Sequence, residues 1–221
     1  MIQRVSFGNA SLQNLPPVQN YSSSIAGNKI LELRKAPPAG NRSYDWLFAH
    51  RANAKAAVHA LTIVKDSAGQ EYVHLLVQKR PPFGGKATIE LPAGLWGDSD
   101  EKETALQAAN REVREETGYD VQSSELMANH LFATSPGMTT ERKAFTLTHA
   151  TGNPSSEYQE PDEKDMITGT MDVPLDTFTD YNRFKGWLQD MDRQGYTVDL
   201  TVIAARGLMP PTLGQKLNVD A

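Results

Sequence analysis

Residues 97–119, GDSDEKETALQAANREVREETGY, impose more on this chain than any other stretch. Five residues separate Gly97 from Glu103 and seven separate Glu103 from Arg111, after which Glu112, Val113, Arg114, Glu115, Glu116, Thr117 and Gly118 follow without a gap. Leu106, Ala109 and Val113 recur at helical spacing and form an apolar stripe. Asp100 is placed to cap the helix, Glu103 three residues on completes a capping box, and Gly118 supplies the stop. Glu112 and Glu116 then lie one turn apart with Glu115 beside them. Like charges at this spacing repel by about 0.2–0.5 kcal/mol per pair. Arg111 and Arg114 offset part of that repulsion. A divalent cation offsets more, because hard cations such as Mg²⁺ take carboxylate oxygens and keep waters and substrate phosphates as further ligands. The alternative for an isolated cluster of this kind is a solvated acidic helix face.

A chain of 221 residues is long enough for one good core with an appended segment. With 39% hydrophobic and 22% charged residues, the composition is that of a soluble globular domain. The formal charge of −5 argues against a nucleic-acid partner, which calls for a basic patch. It leaves room for a phosphorylated substrate, since a metal and a few arginines supply local positive charge. The absence of cysteine excludes disulfides, thiolate catalysis and Cys-based zinc sites. The five histidines show no H-E-x-x-H spacing, and neither a G-x-S-x-G elbow nor a Walker A loop is present. No apolar run reaches membrane-spanning length, and MIQRVSFGNASLQNL lacks a signal-peptide core, so the expectation is a cytoplasmic protein with no membrane partner.

Three regions are expected: residues 1–52 as an N-terminal arm and small β element, 53–209 as the main domain, and 210–221 as an irregular tail. In the first, LELRK and YDWLFAHR read as strands split by the turn APPAGN. In the second, strands are expected at about Ala56–Val64 and Tyr72–Lys79 around the turn Asp66–Gly69. A third strand ends in Glu90-Leu91-Pro92-Ala93-Gly94, just before the helix. Beyond the helix, Leu126–Thr134 and Lys143–Thr151 read as strands joined by the loop SPGMTTER, and another follows an acidic loop near Met166–Val173. A helix opening at Asp180 or Tyr181 carries Phe184, Trp187, Leu188 and Met191 on one face, and Asp199 caps a last helix, LTVIAARGL. Mixed strands around two or three helices make an α/β layered domain.

With every fixed position filled, residues 97–119 resemble the complete Nudix box, the signature of hydrolases that cleave a diphosphate linked to another moiety. The completeness of the match favours a metal site over a solvated helix face. The resemblance implies a Nudix α/β/α sandwich with a mixed sheet. It also implies metal ligation by Glu112 and Glu116, with Glu115 as a further ligand or catalytic carboxylate. Glu103 and Arg111 are expected to tie the loop to the helix by a salt bridge. The flanks are similar to those of ADP-ribose and ADP-sugar pyrophosphatases, where an arginine before Pro-Pro precedes Glu-Leu-Pro-Ala-Gly-Leu, here Arg80 to Leu95. Ser135-Pro136-Gly137 lies where that subfamily places a proline. One departure stands out. In the relatives the glycine of Pro-Ala-Gly is also the box glycine, whereas here Gly94 comes three residues early, Gly97 holds the box spacing, and LWGDSD reads as an insertion.

The subfamily resemblance implies further site residues. The Ala93 carbonyl is a metal ligand in the relatives. Arg80 is the guanidinium expected to face the diphosphate, since arginine forms forked hydrogen bonds to phosphate. Trp46 and Arg51 fall where relatives place an aromatic and an arginine around adenine and phosphate; Trp46 is either a purine-stacking surface or a core residue. Glu141, after the SPG loop, is a further candidate for substrate contact. Glu163 is expected as the catalytic base on the acidic loop, with Asp162 and Asp165 as alternatives. The implied activity is Mg²⁺-dependent hydrolysis of a nucleoside diphosphate sugar, ADP-ribose before others, with Mn²⁺ as the alternative cation and a homodimer as the assembly. The rivals are a GDP-sugar or dinucleoside polyphosphate as substrate, or a non-catalytic ADP-ribose-binding module.

Overall fold

The computed structural model describes residues 19–20, 31–37, 43–84, 86–98, 100–154, 166–211 and 213. They form two compact units, one of residues up to Asn53 with Ser135–Glu141, the other of Ala54–Thr134 with the residues from Arg142 onward. In the first unit, β1 (Gln19–Asn20), β2 (Leu31–Ala36) and β3 (Trp46–Arg51) make an antiparallel sheet in the order β1-β2-β3. The loop Ser135–Glu141 is bound to β3. The Ala49 amide donates to the Met138 carbonyl at 2.8 Å, and the Thr140 amide donates to the Ala49 carbonyl at 3.0 Å.

The second unit is built on a nine-stranded sheet. β4 (Ala56–Lys65), AAVHALTIVK, is buried along nearly its whole length, as expected of a strand covered on both faces. It runs parallel to β10 (Arg142–Thr151) and antiparallel to β5 (Glu71–Lys79). β10 also pairs with β8 (Asp120–Leu126) and β9 (Phe132–Ala133), and β5 also pairs with β11 (Ile167–Pro174). One face carries α1 (Ala105–Thr117), whose Ala105, Ala108, Ala109 and Val113 pack on Val58, Ala60, Val64 and Ala144. The other face carries Leu61, Ile63, Phe145 and Leu147. They pack with Phe178 of α2 (Leu175–Thr179), Phe184 and Met191 of α3 (Tyr181–Arg193), and Val202 and Ala205 of α4 (Leu200–Leu208). Helices on both faces of a mixed sheet are the expected α/β/α sandwich.

The sheet forks where β4 and β5 part. Residues Thr62–Lys65 of β4 pair with β5, but Ala56–His59 pair with β7 (Ala93–Trp96) instead. The far half of β5, Leu76–Lys79, pairs with β6 (Ala87–Glu90), which also pairs in parallel with the short β12 (Thr197–Val198). The single strand expected to end in Glu90–Gly94 is therefore two strands that cross from β5 to β4. Pro92 explains the break, since it has no N–H to continue a ladder; its carbonyl accepts from the Ala60 amide at 2.8 Å.

Two other expectations need correction. The helix cap is Thr104, in a capping box with Gln107, because Asp100 caps a preceding turn by accepting from the Lys102 amide at 2.8 Å. Glu103 is held by Arg111 instead. The strand after the helix is also displaced from Leu126–Thr134 to Asp120–Leu126. Gly118, at φ 76°, turns the chain straight out of the helix into the sheet, and residues 127–131 are irregular.

Candidate active site

The box helix presents two nearly buried carboxylates to the fork. Glu112 and Glu116 are each 6% exposed, and Glu115 is half-buried. The Glu116 Oε2 accepts from the Ala93 amide at 2.7 Å. Glu112 lies against Gly94, on the neighbouring backbone position of β7. The Ala93 amide and the bare Gly94 position of β7 thus meet the carboxylates with backbone.

The two glycines have separate tasks. Gly97, at φ +81°, makes the turn out of β7 in the left-handed conformation that favours glycine. Gly94 permits close approach of a carboxylate. Leu95 and Trp96 of the inserted LWGDSD extend β7 along Ala57 and Ala56. The Trp96 indole N–H donates to the Glu103 carbonyl at 2.6 Å, and the Lys55 ammonium lies 5.3 Å from the centre of its ring. The insertion therefore anchors the start of the box.

Arg111 organises the acidic face. Its Nη1 reaches Glu112 Oε1 at 2.8 Å and Glu115 Oε2 at 2.9 Å, its Nε reaches Glu103 at 3.2 Å, and its Nη2 donates to the Leu95 carbonyl at 3.1 Å. One guanidinium thus ties helix, loop and β7 together. Among the described residues, no three acidic or histidine side chains close around a common point. The donor set nevertheless fits a hard divalent cation: carboxylates at three positions of one helix face, two of them withdrawn from water beside the Ala93–Gly94 backbone.

At the end of β5, Arg80 forms a forked pair with Glu90, at 2.8 and 2.6 Å. Glu90 also accepts from the Thr88 hydroxyl. His59 faces Ala93 across the β4–β7 ladder, and its Nε2 lies 2.9 Å from the Lys143 ammonium. Burial first, then the charges of Lys143 and Arg80, pushes this imidazole well below its usual range, so it is neutral.

Three expected site residues belong to the first unit. The Trp46 indole N–H donates to the Gly137 carbonyl at 2.8 Å, with the ring half-buried, and Arg51 pairs with Glu141 at 2.9 Å. Glu163, with Asp162 and Asp165, lies outside the described residues. Glu90, Trp96, His59 and Lys143 were not singled out from sequence. His59 and Lys143 lie 84 positions apart, so no local spacing announces their pair, while the Arg80–Glu90 and Trp96–Glu103 contacts, 10 and 7 positions long, depend on how the chain crosses from β5 to β4.

A NUDIX domain model matches residues 55–190. "Putative nudix hydrolase 2" of Caenorhabditis elegans is 31% identical over 173 residues, covering 76% of this chain and 74% of that protein. An uncharacterized Nudix hydrolase of Schizosaccharomyces pombe is 46% identical over 77 residues, 34% of this chain and 36% of its own length. The crystal structure of an ADP compounds hydrolase superposes with a TM-score of 0.59 at 13% identity, covering 88% of this chain and 90% of that one, which is a likeness of fold. The family model spans the fork, the acidic helix and most of the sheet around them, and with the nematode relative it establishes that this chain belongs to the Nudix hydrolase family, enzymes that hydrolyse diphosphate linkages.

Proposed function

We propose that the enzyme hydrolyses the diphosphate of a nucleoside diphosphate sugar, ADP-ribose in preference to others, giving AMP and ribose 5-phosphate. The observation that carries this reading is the placement of Glu112 and Glu116 against the backbone of Ala93 and Gly94, inside the Arg80–Leu95 segment that resembles ADP-sugar pyrophosphatases. The fold likeness to an ADP compounds hydrolase supports the same substrate class.

Glu112, Glu116, Glu115 and the Ala93 carbonyl would hold the cation, Mg²⁺ with Mn²⁺ as the alternative. When bound, the cation neutralises the diphosphate and acidifies the attacking water. Arg80, oriented by Glu90, turns its outer N–H groups to the diphosphate. Glu163 takes the proton from water. Trp46 offers a flat surface to the purine, and Arg51 with Glu141 contacts the substrate. A cytoplasmic homodimer completes the proposal. All three box carboxylates are retained, which favours catalysis over passive binding of ADP-ribose.

The test is a panel of ADP-ribose, other ADP-sugars, a GDP-sugar and a dinucleoside polyphosphate. Each is incubated with Mg²⁺ and read by phosphate release after phosphatase treatment, with chelator as control. The expected result is highest kcat/KM on ADP-ribose and no turnover with chelator. Faster turnover of the GDP-sugar or the polyphosphate overturns the substrate assignment. Undiminished turnover under chelation overturns the metal.

A further inference from the structure

A buried imidazole that accepts a hydrogen bond from an ammonium needs explanation. His59 is 7% exposed and sits at the fork on the sheet face opposite α1, followed along that face by Leu61 and Ile63. Its neighbour on the same face is Phe145, with ring centres 5.6 Å apart, and one step further out on β10 stands Lys143. An ammonium has only donors, so the contact at 2.9 Å makes Nε2 the acceptor and leaves the proton on Nδ1. That Nδ1 has no hydrogen-bond partner among the described residues. Core packing alone does not account for this arrangement. An apolar residue would fill the space without a buried, unpartnered N–H, which costs about 1–3 kcal/mol.

What the imidazole does achieve is to fix a cation. Lysine is a flexible stem with a compact charge, and a hydrogen bond to a rigid, packed ring restricts where that charge lies. The location matters because His59 is in direct register with Ala93, whose amide binds Glu116. A short path thus runs from Glu116 through Ala93 and His59 to the Lys143 ammonium. The charge of Arg80, at the end of β5, also bears on this ring, so two cations act on a neutral group. The charge of Arg80 is also coupled to Glu116, so the cations around His59 and the box carboxylates share one field, which suits a ligand that is itself a polyanion bridged to a cation.

We infer that Lys143 is a phosphate-binding residue for the substrate diphosphate, and that His59 is a positioning residue that holds its ammonium at the fork. The inference rests on the diphosphate chemistry of the family and not on the identity of the nucleoside or sugar.

The test uses inorganic pyrophosphate with Mg²⁺ as the probe, titrated into the full chain by calorimetry, so that an error about ADP-ribose leaves it intact. Lys143→Met weakens binding roughly ten- to a hundredfold, as for loss of a charge-assisted contact, while Lys143→Arg retains most of it. His59→Gln weakens binding through Lys143, so the double variant binds no worse than Lys143→Met alone. Lys143→Met also raises KM for the nucleotide substrate more than it lowers kcat. Unchanged pyrophosphate affinity in Lys143→Met, with native thermal stability, overturns the inference. Additive losses in the double variant overturn the positioning role of His59. Where His59→Gln fails to fold, the Lys143→Met and Lys143→Arg pair decides the phosphate contact.

Discussion

Glu112 Oε1 lies 1.8 Å from the point where a Cβ on Gly94 would stand, a separation no side chain can have. The obstruction is the far end of a flexible side chain, so an alanine at 94 displaces the carboxylate and leaves the strand in place. Gly94→Ala is therefore expected to keep the fold and lose about a hundredfold in kcat, the scale at which a displacement of about 1 Å at a reacting centre is felt. Steady-state kinetics beside a thermal melt checks this. Native kcat in a folded Gly94→Ala protein shows that the position of Glu112 is immaterial.

Glu112→Gln and Glu116→Gln are expected to abolish most turnover without unfolding the chain. Each change keeps one side-chain oxygen, able to accept the bond from Ala93 to residue 116, while it removes the charge and replaces the other oxygen with an NH2 donor. Activity at saturating Mg²⁺, together with Mn²⁺ binding followed by electron paramagnetic resonance, separates a lost ligand from a lost base. A variant with near-native kcat at saturating Mg²⁺ excludes that residue as an essential ligand.

Arg80→Ala is expected to act twice. It removes a charge-assisted contact to the diphosphate, about 1.5–3 kcal/mol or roughly ten- to a hundredfold in kcat/KM. It also leaves Glu90, whose side chain is 13% exposed, without its partner. Breaking a buried pair costs about 3–5 kcal/mol, and the partial exposure of Arg80 reduces this to about 2 kcal/mol. Glu90→Gln separates the effects, because it weakens the pair but keeps the guanidinium. Denaturant titration should find both variants destabilised, with KM raised mainly in Arg80→Ala. Native KM in Arg80→Ala removes it from the substrate contacts.

Glu163→Gln is expected to lower kcat by about 10²–10⁴-fold while substrate still binds, as for loss of a general base. Asp162→Asn and Asp165→Asn serve as neighbours for comparison, with kcat measured across pH. Loss of the acidic limb only in Asp165→Asn assigns the base to that residue. Native kcat in all three moves the base to the helix glutamates.

The box helix was legible because its information is local. Apolar residues at helical spacing, a glycine stop and carboxylates one turn apart are constraints that neighbouring residues impose on each other. The same holds for β4, β5, β10 and the Asp180- and Asp199-capped helices, each marked by an apolar run or a capping side chain. The cap at Thr104 is also marked locally, by the capping box it forms with Gln107, whereas the Glu103 side chain is drawn to Arg111 instead of completing a box with Asp100.

What the sequence determined by itself was the helix, its acidic face and the family chemistry that goes with their spacing. Tertiary structure alone decided that Gly94 shelters Glu112 while Gly97 makes the turn, that Glu90 holds Arg80, and that His59 meets Lys143 from 84 residues away. The physical reason is register. A cross-strand neighbour is set by how two strands align when their faces are buried, and a shift of one residue along β4 or β10 would turn His59 or Lys143 to the other face.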